Sequence, residues 1–203
     1  MEDDAAVKRA KFIDKTVGLR EAFSFAHPEQ ILRAVEVYAS DCYGMMLYDL
    51  SSKATEAYFK AWNTCVKLSW NVPRSTYTYN VENVLAANFV SLRHQAYARY
   101  VSFFQGMFKS SSKEVRHLVR IVARDVRSVT SRNVKLIESV SGLSPWDYSK
   151  WRIKEKLTNT IVPANNEWRV GLLEKLLTLR QNKQASFDDT TQVDGMIDSL
   201  CCT

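Results

Sequence analysis

Turn-forming residues are scarce in this chain: six glycines and four prolines among 203 residues, about 5% against the roughly 12% of average usage. A sandwich or barrel of many short strands needs a turn signal every 8–12 residues or so. The shortage therefore predicts an all-α fold. Hydrophobic residues make up 46% and charged residues 25%, the balance of a globular protein with enough chain to bury a core.

Apolar spacing of three and four, read with cap residues, predicts about eight helices. The first spans 4–20, with Ala6, Ala10, Ile13 and Val17 on one face; Pro28 suits the first turn of a second at 28–43. Ser51 or Ser52 caps a third at 53–70, built on Ala54, Tyr58, Ala61, Trp62, Cys65 and Val66 and stopped by Asn71-Val72-Pro73. Residues 74–79 read as briefly extended and 81–88 as a short helix. Ser91 caps an aromatic helix at 92–108, and Ser111 with Glu114 forms a capping box for 112–125. Ser131 opens a helix that Gly142 closes, Ser144-Pro145 starts another, and Asn165 or Asn166 caps a Leu-rich helix to about 183. The serine-rich joint Lys109–Ser112 separates an aromatic first half from a basic second half, so the expected domains are 1–110, 111–185 and a polar tail at 186–203 with a short helix.

Positive charge is concentrated in one segment. Residues 109–135 hold eight basic side chains and two acidic ones, a net +6 that equals the excess of the entire protein. On a helix continued through Arg127, the side chains of Lys113, Arg116, Arg120, Arg124 and Arg127 fall within about 80° of arc, with His117 beside them. Val115, Leu118, Val119, Ile121, Val122 and Val126 lie on the other side. Guanidinium groups at one-turn spacing suit a phosphate backbone, because each offers two donors in a fork and releases counterions. Ordinary solvation of an outer helix face is the alternative. The nearly unmixed sign of the stripe favours nucleic acid, without specifying a sequence.

A second cluster interleaves Trp146, Tyr148 and Trp151 with Lys150, Arg152, Lys154 and Lys156. Such a pattern either stacks unpaired bases beside neutralised phosphates or is two core tryptophans with lysines snorkelling around them. Tyr97, Tyr100, Phe103, Phe104, Met107 and Phe108, together with Trp62 and Trp70, read as core.

Familiar chemistries are missing. His27, His94 and His117 have neither a partner histidine nor a cysteine at metal-ligand spacing. There is no Gly-rich phosphate cradle and no nucleophile elbow. Phe187-Asp188-Asp189 lacks the intervening residue of the aromatic-x-Asp-Asp turn with which polymerases hold two metal ions. No catalytic centre, metal or cofactor is expected, nor a small-molecule substrate. No run free of charged residues exceeds ten, too short to span a bilayer. The acidic Met1-Glu2-Asp3-Asp4 is unlike a secretory signal, and Cys201-Cys202 match no prenylation box. Four cysteines without a CxxC make no disulfide framework and point to a reducing compartment, cytosol or nucleus, with Cys42 and Cys65, set among apolar residues, as packed thiols.

One pair of segments carries a resemblance. Residues 42–50 (Cys-Tyr-Gly-Met-Met-Leu-Tyr-Asp-Leu) with Ser51-Ser52-Lys53, and 61–74 (Ala-Trp-Asn-Thr-Cys-Val-Lys-Leu-Ser-Trp-Asn-Val-Pro-Arg), resemble the region after the catalytic palm in reverse transcriptases of LINE-type non-LTR retrotransposons, most closely the chicken-repeat clade. Residues 8–13 and 196–201 are similar to the start and end of that region. The matching positions are Tyr43, Gly44, Leu47, Asp49, Leu50, Trp62, Lys67, Trp70 and Pro73.

The resemblance implies a helical, bundle-like thumb followed by a smaller helical C-terminal domain. Palm and endonuclease lie outside these residues, so it implies a non-enzymatic portion that grips template RNA, target DNA or their hybrid during target-primed reverse transcription. The expected contacts are Lys113, Arg116, Arg120, Arg124 and Arg127, with Lys67, Lys150, Arg152 and Lys154 as auxiliaries. The polymerase palm and fingers are the expected protein partners. The Cys/His knuckle carried by some LINE families is missing. Two alternatives stay open: a protein-interaction module whose aromatic helix 92–108 packs on the palm, and a host-captured copy with a new binding role.

Overall fold

The structure is a computed structural model that describes residues 2–76, 81, 85–86 and 89–159. The fold is all-α, with seven α-helices and no strand among the described residues. They are α1 (Glu2–Ala22), α2 (Pro28–Ala34), α3 (Lys53–Trp70), α4 (Leu92–Phe108), α5 (Lys113–Arg124), α6 (Val129–Ser141) and α7 (Lys150–Asn159). A π-helical turn, Val35–Ala39, continues α2, and a 3-10 turn covers Met45–Leu47. Helix 165–183 and the tail 186–203 fall outside the described residues, as do most of 81–88 and the end of the 74–79 loop.

Cap chemistry explains most boundaries. Pro28 opens α2 in its first turn as expected, and His27 caps it: its Nδ1 accepts from the Glu29 N–H, while Gln30 Oε1 accepts from the His27 N–H. Ser52 caps α3 through the Thr55 N–H. That helix ends where Asn71 takes φ 56° and the Val72 N–H reaches back to the Lys67 carbonyl, a six-to-one closure that an asparagine tolerates. Ser91 caps α4. Ser112, not Ser111, caps α5, and Ser128, not Ser131, caps α6. Gly142 at φ 67° closes α6. The Ser144-Pro145 start is a turn, and α7 begins five residues later.

On α1 the buried side chains are Ala5, Phe12 and Thr16, and the expected face of Ala6, Ala10 and Val17 is exposed. One large aromatic side chain outweighs two alanines in apolar area. The buried Thr16 hydroxyl lies 2.9 Å from the Phe12 carbonyl and 3.1 Å from Cys65 Sγ, so it finds a partner in its own helix and another on α3.

The chain forms two compact units. The first comprises Met1–Ala10, Ser40–Lys60 and Ser91–Ile161. Its spine is α4, which buries Leu92, His94, Ala96, Tyr97, Tyr100, Val101, Phe104 and Gln105. Helices α5 and α7 pack on α4, and α6 packs on α5 and α7. The Lys109–Ser112 joint lies inside this unit, between α4 and α5. The described part of the second unit comprises Lys11–Ala39 and the described residues of 61–90. Its described core includes Phe12, Ile31, Leu32, Val35, Trp62, Cys65 and Val66. Burial raises the Cys65 thiol to about 12 against a lowering hydrogen bond from Thr16. In the first unit, burial likewise raises Cys42 to about 11. Both are packed, protonated thiols at neutral pH.

Candidate nucleic-acid interface

Helix α5 is a short amphipathic segment whose ends are set by a hydroxyl and a carboxylate. At its start the Ser112 Oγ accepts from the Val115 N–H at 3.2 Å and donates to Glu114 at 2.7 Å. At its end the Asp125 carboxylate accepts from the Arg127 N–H at 3.0 Å, and the Asp125 carbonyl accepts from the Ser128 N–H. An Asx turn of this kind competes with helix continuation. It stops α5 at Arg124, so Arg127 leaves the stripe and its guanidinium sits 3.5 Å from Asp125. The helix thus ends within a residue of the expected 125, and the condition that would have placed Arg127 on the stripe, a helix continued through it, is not met.

The remaining stripe divides by environment. Lys113, Arg120 and Arg124 are exposed, and His117 is exposed beside them. Arg120 Cζ lies 5.5 Å from the Phe108 ring centroid, a cation–π contact of the guanidinium itself, made on a residue that stays exposed. None of the three forms an ion pair with a described residue. Arg116 is half-buried and donates from Nη1 to the Ser110 and Ser111 carbonyls, so this guanidinium ties down the turn that precedes its own helix.

The apolar side of α5 is narrower than its sequence pattern predicts. Val119 and Ala123 are buried, while Leu118 and Ile121 are 60% and 53% exposed. The outer surface of α5 thus pairs a basic strip with a smaller apolar one.

Lys67 stands apart from the other candidates. Its ammonium donates to the Arg74 carbonyl at 2.7 Å and to the Thr76 carbonyl, closing the loop after α3. It belongs to the second unit and acts as a loop fastener, which removes it from the candidate surface.

The other auxiliaries lie on α7, which α4 holds at both ends. Gln105, buried on α4, donates to the Pro145 carbonyl at 3.1 Å and to the Tyr148 carbonyl just ahead of α7. At the far end His94 Nε2 meets the Leu157 carbonyl and Nδ1 faces the Ser91 hydroxyl at 3.3 Å. The carbonyl can only accept, so Nε2 carries a proton. Burial holds the His94 pKa below the ordinary histidine value, against a raising hydrogen bond to Leu157. Lys150 and Arg152 are exposed and Lys154 is half-buried. Partial burial, with the neighbouring Lys150 charge, lowers the pKa of Lys154.

The two tryptophans of this cluster have opposite surroundings. Trp146 is half-buried and meets Phe104 and Phe108 edge-on, each at 5.0 Å. Trp151 is 71% exposed. Neither of the two sequence readings of the cluster covers both rings.

A polar clamp in the first unit went unnoticed in the sequence. Asn133, fully buried on α6, accepts from the Leu50 N–H at 2.9 Å and donates to the Tyr48 carbonyl at 2.7 Å. Next to it Arg132 Nε donates to Asp49 at 2.8 Å. Partial burial raises the Asp49 carboxyl, and hydrogen bonds from Ser51 and Arg132 outweigh it and hold the pKa below the usual value. Arg132 belongs to the basic segment by sequence and to the scaffold by structure. The one sequence signal was the adjacency of Arg132 and Asn133 on a face that also carries Val134 and Ile137.

Among the described residues no group of three or more His, Cys, Asp or Glu side chains is placed to hold a metal ion. No described helix is long and apolar enough to cross a membrane. No protein-family model, curated protein or solved structure matches the chain.

Proposed function

We propose that this chain is a non-catalytic nucleic-acid-binding module that grips a phosphate backbone through Lys113, Arg120 and Arg124. In this reading it is the helical post-palm portion of a LINE-type reverse transcriptase working in cytosol and nucleus. Its ligand is template RNA, target DNA or their hybrid, and its protein partner is the palm and fingers of the same polymerase.

One observation carries the reading: three exposed cations lie within about 40° of one helix face with no carboxylate between them. Glu114 and Asp125 project about 100° and 120° from Lys113 around the axis. The stripe runs about 16 Å along α5, a length over which duplex DNA carries about ten phosphates. Helix packing on α4 and α6 fixes the direction of the stripe. Contacts of this kind position a duplex without reading its bases. Arg116 and Arg127 lie at the margins, and Lys150, Arg152 and Lys154 add positive charge on α7 of the same unit.

The test is fluorescence anisotropy of a labelled RNA hairpin, a DNA duplex and an RNA–DNA hybrid over a salt series. Wild type is compared with a Lys113→Gln/Arg120→Gln/Arg124→Gln variant. Log affinity should fall with log salt at about 0.7–0.9 per phosphate contact, and the triple variant should flatten the slope by about two to three. Wild type that binds none of the three at low salt, or a variant that keeps the full slope, ends the proposal.

A second reading rests on Tyr43 and Leu47, which are 80% and 60% exposed although both belong to the resembling segment. The spine α4 buries Tyr97, Tyr100 and Phe104 inside its own unit, so in this reading the exposed Tyr43 and Leu47, rather than those rings, supply the partner contact. Light scattering that finds self-association of the chain, relieved by Tyr43→Ser/Leu47→Ser, would favour this reading.

A further inference from the structure

Tryptophan is among the most buried residues on average, yet Trp151, the second residue of α7, presents 71% of its surface to solvent. Ile153 and Leu157 form the buried side of α7. Trp151 lies some 120–160° away from them around the axis, on the outer side. Its immediate neighbours are cationic: Lys150 Nζ is 5.4 Å and Lys154 Nζ 5.8 Å from the ring. Beside it Arg152 Cζ lies 5.0 Å from the ring of Tyr148, a second partly exposed aromatic side chain. Residues 150–156 hold four cations and one carboxylate, Glu155.

Two rings and four cations on a rigid support are the parts needed to take up a single strand. The ring offers a π-face to any base, and the ammonium groups meet the flanking phosphates. Duplex ends present no comparable run of free bases. The tie of α7 to α4 at Gln105 and His94 means the platform is preformed, so little ordering cost accompanies docking. We propose that Trp151 stacks an unpaired base of single-stranded nucleic acid, with Lys150 and Lys154 on its phosphates. This deepens, and rests on, the proposal that the chain binds nucleic acid: α5 takes the duplex backbone and α7 a single-stranded extension.

The experiment uses the full chain and two labelled RNAs, a blunt hairpin and the same hairpin with a single-stranded tail of six uridines. Wild type, Trp151→Ala and Trp151→Phe are titrated over a salt series. Stacking is worth ~1–3 kcal/mol per base, so Trp151→Ala should weaken tailed-RNA binding about 5- to 150-fold. Hairpin binding should stay within about twofold, and the salt slope should not change because no phosphate contact is removed. Trp151→Phe should recover most of the loss. Thermal unfolding of Trp151→Ala should match wild type, since the ring is outside the core.

Equal binding of tailed RNA by wild type and Trp151→Ala overturns the stacking proposal and leaves the α5 reading standing. An equal loss on both RNAs overturns it too, because the ring would then serve only as a shelf for its neighbouring lysines. Wild type that binds neither RNA at low salt overturns both proposals together. A tail-specific loss in Trp151→Ala combined with an unchanged salt slope in the α5 triple variant keeps stacking and removes the α5 grip.

Discussion

Helices α5 and α6 are neighbours in one unit, carry basic residues from one continuous segment, and use them in opposite ways. On α6, Arg132 holds Asp49 and the adjoining Asn133 holds the backbone of Tyr48 and Leu50, so polar side chains work as internal fasteners. On α5, Lys113, Arg120 and Arg124 stand at the surface, and only Arg116 serves the turn before its own helix. Charge density along the chain is therefore a poor guide to which cations are available. What separates them is whether a loop with unsatisfied carbonyls or a carboxylate lies within reach.

The comparison can be broken most forcefully at Asn133. Replacing it with alanine leaves a buried N–H and a buried carbonyl without partners, each costing ~1–3 kcal/mol. Asn133→Ala should lower stability by about 2–4 kcal/mol, a fall of roughly 5–15 °C in Tm. A loss under 1 kcal/mol by calorimetry would mean that Asn133 is no clamp.

Lys67→Met comes next. It removes the ammonium from the Arg74 and Thr76 carbonyls and should cost about 1–2 kcal/mol while leaving RNA affinity unchanged. A clear loss of RNA affinity without a stability change would return Lys67 to the interface.

Within α5 the contrast narrows to one pair. Arg116→Ala should cost about 1 kcal/mol in denaturant unfolding through its lost carbonyl contacts. Arg124→Ala should stay within about 0.5 kcal/mol and lower the salt slope of RNA binding by about 0.7–0.9. Interchanged results would show that the assignment of fastener and surface cation is reversed.

The smallest effect concerns pH. His94 is neutral and buried with its pKa depressed, so its stabilising contribution is fully present above the ordinary histidine value of about 6.5. It is lost as pH falls from there through the depressed folded value, because the unfolded state then binds the proton more readily. The depressed Asp49 pKa acts with the same sign in a lower window, below about 4. His94→Gln should remove the upper portion of this pH dependence alone. Identical stability-against-pH curves for the two proteins would exclude the ring as its source.

The sequence by itself determined the fold class and most of the helices. Few glycines and prolines, apolar residues at three and four, and serine or asparagine at the boundaries are local signals, and a helix satisfies its backbone locally. The residues of α3 and α4 were legible for that reason, as was Gly142, where the backbone needs a positive φ. The end of α5 was legible to within a residue, but the turn that follows it was not. The Asx turn at Asp125 uses a residue that an ongoing helix tolerates, and it took Arg127 off the stripe.

Tertiary structure alone decided which polar and aromatic residues face inward. Trp146 and Trp151 are five residues apart with similar neighbours in sequence, and one packs between two phenylalanines while the other meets solvent. Arg116, Arg132 and Lys67 look like surface cations until the chain brings carbonyls and a carboxylate beside them. The physical reason is range. Helix formation is settled within a turn, whereas the satisfaction of a buried donor or acceptor depends on partners up to 85 residues away, as between Asn133 and Tyr48.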